Sequence, residues 1–276
     1  MKLTIEQLLD AMWQDYLALT PDAKPIHQLF ANLNQGMVVN DHIALRTFNL
    51  DKVSLDKIAK PFLDAGYQAV DDYQFPAKKL YAKYYQHTND TLPKVFISEL
   101  KVEELPKHCQ EIIKDLVSQV SEDLVSQQGF CCSGRPWNIS KEQYQKLASE
   151  SEYASWVAAH GFRPNHFTVS INHLRFNQEH SHPDIQSVNQ LLQDNGYAMN
   201  TSGGLIKGSP DVLLEQSSTL AKEIEVSFTD GILKIPGCYY EFALRYPMPD
   251  GQLYPGFVAT SADKIFESTD AVPGTK

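Results

Sequence analysis

Three side chains able to hold a metal ion, and one able to grip an anion, fall in stretches that read as β-strands. Successive strand side chains alternate between faces. DHIALRTFN (41–49) therefore puts His42, Ala44 and Arg46 on one face, with Ile43, Leu45 and Thr47 on the other. In HFTVSIN (166–172) His166 shares its face with Thr168, Ser170 and Asn172, opposite Phe167, Val169 and Ile171. In YYEFALRYP (239–247) Glu241 shares its face with Tyr239, Ala243 and Arg245, opposite Tyr240, Phe242, Leu244 and Tyr246. Two histidines and one carboxylate are the donor set of the 2-His-1-carboxylate facial triad. Such a triad on one face of an octahedral Fe(II) leaves three positions open, two for the oxygens of a 2-oxo acid and one for O2. Spacing alone leaves a second reading open, in which these are satisfied polar groups of a barrel interior. For Arg46 that second reading is a buried ion pair with Glu241 or Glu99.

Each of the three strands has one apolar and one polar side. If helices cover the apolar sides, the polar sides line a concave interior and the candidate ligands look inward. The rest of the chain supplies the helices. Thr4 and Gln7 form a capping box before Ile5, Leu8, Leu9, Met12, Trp13, Tyr16 and Leu17, and a second helix spans about 22–34. These make a helical N-terminal layer over 1–36. The order β-α-β-β-β follows over 40–100, with a helix over 54–64 and strands in YQAVDDYQF, KLYAKYYQH and KVFISEL. A helical insert over 101–162 includes one helix opened by a Ser140/Gln143 capping box and closed at Gly161. The β-α-β-β-β order then recurs over 163–258. It runs HFTVSIN, a helix over 183–194, GYAMN, DVLLEQS, EIEVSF and GCYYEFALRYP. The tail 259–276, rich in Ser, Thr, Asp, Pro and Gly, is expected to fray. A duplicated supersecondary unit fixes the architecture as α+β, with two modules forming one metalloenzyme domain.

The net charge of −10 argues against a nucleic-acid or anionic-membrane surface, since both need a concentrated positive field. No apolar run reaches membrane-spanning length, and Glu6, Asp10 and Asp15 interrupt any signal-peptide core. Cys109, Cys131, Cys132 and Cys238 make neither a disulfide framework nor a CxxC site, which points to a reduced, cytoplasmic protein.

The duplicated order is similar to the vicinal-oxygen-chelate superfamily. More narrowly, DHIALRTF, RPNHFTVSIN, GSPDVLLEQSS and PGCYYEFALRYP resemble the DUF1338 family, which includes the 2-oxoadipate dioxygenase/decarboxylases, or hydroxyglutarate synthases. The resemblance covers about 8–257 and implies a half-open β-barrel. It also implies Fe(II) ligands at His42, His166 and Glu241, with a substrate-carboxylate arginine at Arg46. The implied reaction turns 2-oxoadipate and O2 into 2-hydroxyglutarate and CO2, within lysine catabolism. Zinc or nickel could take the iron's place in a crystal. The characterised members are longer, so contacts from their extra segments have no counterpart in this chain.

Other groups weigh less. Lys207, Ser170 and Gln216 are polar candidates for contact with substrate. Glu99, which ends the last strand of the first module, would match Glu241 as a fourth ligand in a zinc, nickel or manganese lyase, isomerase or hydrolase. A non-catalytic binder of a small acid is the third class. His173, His180 and His182 are expected outside the ligand set, Cys238 is expected to pack, and His160 is expected to favour a helix C-terminus through partial positive charge.

Overall fold

The computed structural model describes residues 3–176, 181–259, 264 and 269. Helix α1 (Ile5–Leu17) starts on the Thr4/Gln7 capping box, and α2 (Ala23–Leu33) follows. Both lie over the sheet's outer face. Trp13 and Tyr16 each pack on the Phe167 ring at 5.0 Å, and the Tyr16 hydroxyl donates to the Tyr239 carbonyl at 2.6 Å. Burying each such side chain stabilises the layer by about 1.5–3 kcal/mol.

The first module is β1 (Asn40–Phe48), α3 (Leu55–Asp64), β2 (Gln68–Phe75), β3 (Leu80–Gln86) and β4 (Lys94–Leu100), as its pattern predicts. The insert holds α4 (Lys107–Ser118), α5 (Glu122–Val125), α6 (Lys141–Ala148) and α7 (Glu152–His160). The single helix expected after Ser140 is two. The Ser151 hydroxyl accepts from the Ala154 N–H and starts α7 afresh, which redirects the chain between Ala148 and Glu152. Gly161 closes α7 with φ 74°, and a Cβ there would lie 2.1 Å from the Gly134 carbonyl oxygen, so only glycine fits.

The second module is β5 (Pro164–Ser170), α8 (Ile185–Asp194), β6 (Lys207–Ser209) and β7 (Leu214–Ser218). It continues through β8 (Glu223–Phe228) and β9 (Gly231–Pro236) to β10 (Tyr239–Arg245). Here the pattern misplaced some elements. GYAMN forms no strand, only a bridge from Met199 to Thr219. EIEVSF is β8, but it pairs with β9 in a separate hairpin instead of joining the main sheet. β5 ends at Ser170, and Asn172 lies in a short 3-10 turn.

The main sheet has eight strands in the order β2-β3-β4-β1-β5-β10-β7-β6, two four-stranded halves related by a local twofold between β1 and β5. β1 and β5 run antiparallel, while β1–β4 and β5–β10 are parallel. Helix α3 packs on β4 and β1, and α8 on β7 and β10, so helices cover the outer faces. The inner faces curve around a polar interior. Its depth of curl shows in one distance: β5 separates β1 from β10, yet His42 Nε2 lies 3.4 Å from Glu241 Oε1. Among the described residues no helix is long and apolar enough to cross a membrane.

Candidate metal centre

His42, His166 and Glu241 meet inside the half-barrel, all buried. His42 Nε2 and His166 Nε2 are 3.4 Å apart, Glu241 Oε1 is 3.4 Å from the first, and Glu241 Oε2 is 3.4 Å from the second. The three side chains offer ligand atoms that all lie within 4.8 Å of one another, close enough to share one cation. The far side of each ring sets its tautomer. His42 Nδ1 donates to Asp41 Oδ1 at 2.8 Å, and His166 Nδ1 meets Asn165 Oδ1 at 3.1 Å. Each Nε2 is thereby left as a lone-pair donor aimed at the shared point. The Thr168 hydroxyl reaches His42 Nε2 at 3.1 Å. Among the described residues Glu241 Oε2 has no hydrogen-bond partner. Two imidazole lone pairs and a carboxylate oxygen without a hydrogen-bond partner among the described residues, converging at one buried point, suit a divalent ion. The donor set fits a metal of the iron, zinc or nickel kind.

Electrostatics agree. Burial, the adjoining His42 ring and the Arg46 charge hold His166 well below the ordinary imidazole range, in the neutral form that a metal needs. Burial raises the Glu241 carboxyl, partly offset by His42 and by Gln216, whose Nε2 donates to Glu241 Oε1 at 2.7 Å. Burial also opposes charge on Asp41. The Arg245 guanidinium and the His42 hydrogen bond overcome it and hold that carboxyl well below its usual range. Arg245 grips Asp41 with two bonds, Nε to Oδ2 at 2.7 Å and Nη2 to Oδ1 at 2.8 Å. Its Nη1 donates to the Tyr254 and Gly256 carbonyls. That leads to Phe257, whose ring stands edge-on to His42 at 4.8 Å and packs on Phe96 at 4.9 Å, an aromatic wall beside the triad.

Arg46 is buried on the same face of β1. Its Nη1 donates to Glu152 Oε1 at 2.9 Å and its Nη2 to Thr269 Oγ1 at 3.2 Å, while the guanidinium lies 5.0 Å from the Tyr153 ring and 5.1 Å from the Trp156 ring. Thr269 also donates to Glu152. The ion pair is thus with Glu152, at the start of α7, and neither Glu241 nor Glu99 takes part. Thr269 is buried, so fraying does not extend to that residue; most of the tail lies outside the described residues.

The other candidates separate. Gln216 reaches the centre, but as a clamp on Glu241. The Ser170 hydroxyl pairs with His173 Nδ1 at 2.9 Å. Lys207, buried opposite Gln216, donates to the Asn200 carbonyl at 2.7 Å. Glu99 is not a ligand: its Oε2 accepts from the Leu55 N–H at 2.8 Å and caps α3. The sheet register explains why. His42 faces Lys94 and Ala44 faces Phe96, as His166 faces Tyr239 and Thr168 faces Glu241, so the twofold counterpart of Glu241 is Phe96. Cys238 packs against the Pro164 carbonyl, and burial pushes its thiol up to about 12. Burial also takes His160 down to about 3, so it is neutral, contrary to the charge expected at its helix end; its Nε2 faces the Pro236 carbonyl at 3.0 Å. His182 is exposed, and His180 lies outside the described residues. A surface cavity of about 370 Å³, lined by Arg135, His160 and Arg163 among others, shares no residue with the triad.

Sequence reading passed over Asp41, Asn165, Glu152 and Phe257, and gave Tyr239 a face but no role. A signal existed for the first two, since Asp41-His42 and Asn165-His166 repeat an acceptor directly before each histidine.

Residues 5–253 match the sequence profile of the 2-oxoadipate dioxygenase/decarboxylase family. The chain belongs to that family. It is 36% identical over 291 residues to the chloroplastic 2-oxoadipate dioxygenase/decarboxylase of Arabidopsis thaliana, covering 95% of this chain and 76% of that one. Among solved structures, the hydroxyglutarate synthase of Oryza sativa in complex with 2-oxoadipate superposes with a TM-score of 0.86 at 34% identity, covering 95% of this chain and 90% of that one. A Shewanella frigidimarina protein provisionally described as a hydrolase gives 0.86 at 53% identity, covering 91% and 96%. A Ralstonia eutropha protein assigned to the glyoxalase superfamily gives 0.73 at 18% identity, covering 91% and 84%, and carries the same fold. The α+β half-barrel of duplicated modules is that fold.

Proposed function

We propose that this chain is an Fe(II)-dependent dioxygenase and decarboxylase of a 2-oxo dicarboxylic acid, with 2-oxoadipate as substrate. The overall reaction is 2-oxoadipate plus O2 to 2-hydroxyglutarate plus CO2. One observation carries the reading: in a chain of this family, His42, His166 and Glu241 converge in the buried interior, each within 3.4 Å of the other two. These three would hold the metal, which when bound supplies the O2 chemistry and two sites for the 2-oxo acid's oxygens. Because the ligands come from both modules, we take the modules and their helices as one catalytic unit.

The protein's own work is to hold, orient and keep dry. Asp41 and Asn165 fix the imidazoles, Gln216 fixes the carboxylate, and Phe257 with Phe96 screens the centre from water. In this reading Arg46 takes the distal carboxylate of the substrate. Its present partner, Glu152, sits at the start of α7 with its side chain 28% exposed and also accepts from Thr269, so substrate would have to displace that pair. Ser170 and Lys207 remain candidates for contact only if substrate displaces His173 and the Asn200 carbonyl. Glu99, turned to α3, offers no fourth ligand to a glyoxalase-like reaction. A cytoplasmic site and a role in lysine breakdown belong to this proposal; the Arabidopsis relative is described as chloroplastic.

The deciding experiment loads the purified protein anaerobically with Fe(II) and adds 2-oxoadipate at an oxygen electrode. Oxygen consumption with equimolar CO2 and 2-hydroxyglutarate is expected. No uptake by iron-loaded protein sinks the proposal.

A further inference from the structure

Tyr239 carries a buried hydroxyl that the centre's own geometry leaves unused. Its side chain is fully buried on the inner face of β10, two positions before Glu241, and among the described residues its Oη has no hydrogen-bond partner. The ring stacks on His166 with centroids 4.6 Å apart and planes 27° from parallel. A phenylalanine would make the same stack without leaving a hydroxyl dry, so a missing partner is implied.

The register says where that partner lies. Tyr239, His166 and Ala44 form one row across the sheet, and Glu241, Thr168 and His42 form the next. Arg46 follows Ala44 on β1, beyond the Tyr239 row as seen from His42 and Glu241. A molecule with one end at His42 and Glu241 and the other at Arg46 must cross the Tyr239 row, in which Ala44 is the smallest side chain.

We propose that Tyr239 donates a hydrogen bond to the distal carboxylate that Arg46 holds, making it a second determinant of dicarboxylate specificity. The inference rests on the reading of the site given above. Its test compares wild type, Tyr239→Phe and Arg46→Lys on 2-oxoadipate and on 2-oxohexanoate, which lacks the distal carboxylate. Both steady-state kinetics of the Fe(II) protein and anaerobic calorimetry of the Ni(II) protein are read. Tyr239→Phe should raise KM and Kd for 2-oxoadipate about tenfold or more, the loss expected for one hydrogen bond to a charged group. It should leave kcat within about threefold and 2-oxohexanoate binding unchanged. Equal losses on both acids, or no loss on either, overturn the role of Tyr239. If Arg46→Lys weakens 2-oxoadipate while Tyr239→Phe does not, only this inference fails. If wild type consumes no oxygen and Arg46→Lys binds 2-oxoadipate as well as wild type, the reading of the site fails and takes this inference with it.

Discussion

The two modules repeat a backbone and divide a task. Each opens with a strand carrying a histidine preceded by a hydrogen-bond acceptor, Asp41-His42 in one and Asn165-His166 in the other. At the next equivalent place they part. The second module has Glu241, while the first has Phe96, which packs on Phe257 beside His42. The scaffold thus supplies imidazole twice and carboxylate once. One half-barrel wall is a ligand and the opposite wall is an apolar screen. Three donors of this kind would hold a metal from one side, and the broken symmetry puts no fourth donor at Phe96. Arg46 repeats the lesson, because its counterpart two positions beyond Thr168 is Ser170, which is uncharged and paired with His173.

The comparison breaks most severely if the histidines are unequal. His42→Ala and His166→Ala should each abolish stable metal retention and lower turnover by roughly a thousandfold, since several kcal/mol of Lewis-acid stabilisation go at about 1.4 kcal/mol per decade. Metal content after dialysis and oxygen uptake check both. Retention by either variant would remove its module from the centre.

A smaller effect tests the two acceptors. Asp41→Asn should weaken metal binding about 10- to 100-fold and also destabilise the fold, because it leaves Arg245 buried without its anion. Asn165→Ala should affect metal more than stability, as no buried charge loses a partner. The pH dependence has a definite sign. The folded carboxyl of Asp41 lies below its unfolded value near 3.9, so its contribution is fully present above about pH 4 to 5 and is lost as pH falls further. The gap in melting temperature between wild type and Asp41→Asn should be level near neutrality and narrow in acid. A gap that instead narrows between pH 6 and 8 contradicts this.

The smallest effect concerns Glu99. Glu99→Gln should keep metal content and keep kcat/KM within about twofold, while costing about 1 kcal/mol or less through a weaker bond to the Leu55 N–H. Lost metal would restore Glu99 as a ligand and undo the Phe96 correspondence.

Local pattern made much of this legible. Alternation located β1, β5 and β10 and turned His42, His166 and Glu241 to one side, and the capping residues located α1 and α6. Partners distant in sequence were not legible. Nothing near Arg46 names Glu152, and the break at Ser151 that presents Glu152 has neither glycine nor proline to mark it. EIEVSF alternates like any strand, yet alternation does not say which sheet a strand joins. Matching Glu99 to Glu241 failed because it compared only two carboxylates, one in the last strand of each module, by position along the chain. Pairing along β1 and β5 decides equivalence, and that pairing is a tertiary fact.

Arg245 ties three chain regions into one knot: the end of β10, Asp41 behind the first ligand, and the carbonyls of Tyr254 and Gly256 that lead to the Phe257 screen. During synthesis the first histidine therefore waits, unbraced and unscreened, until nearly the whole chain has been made. Metal capture at the proposed centre becomes a late event of folding, and a product cut short before Tyr254 should retain less metal than the full chain.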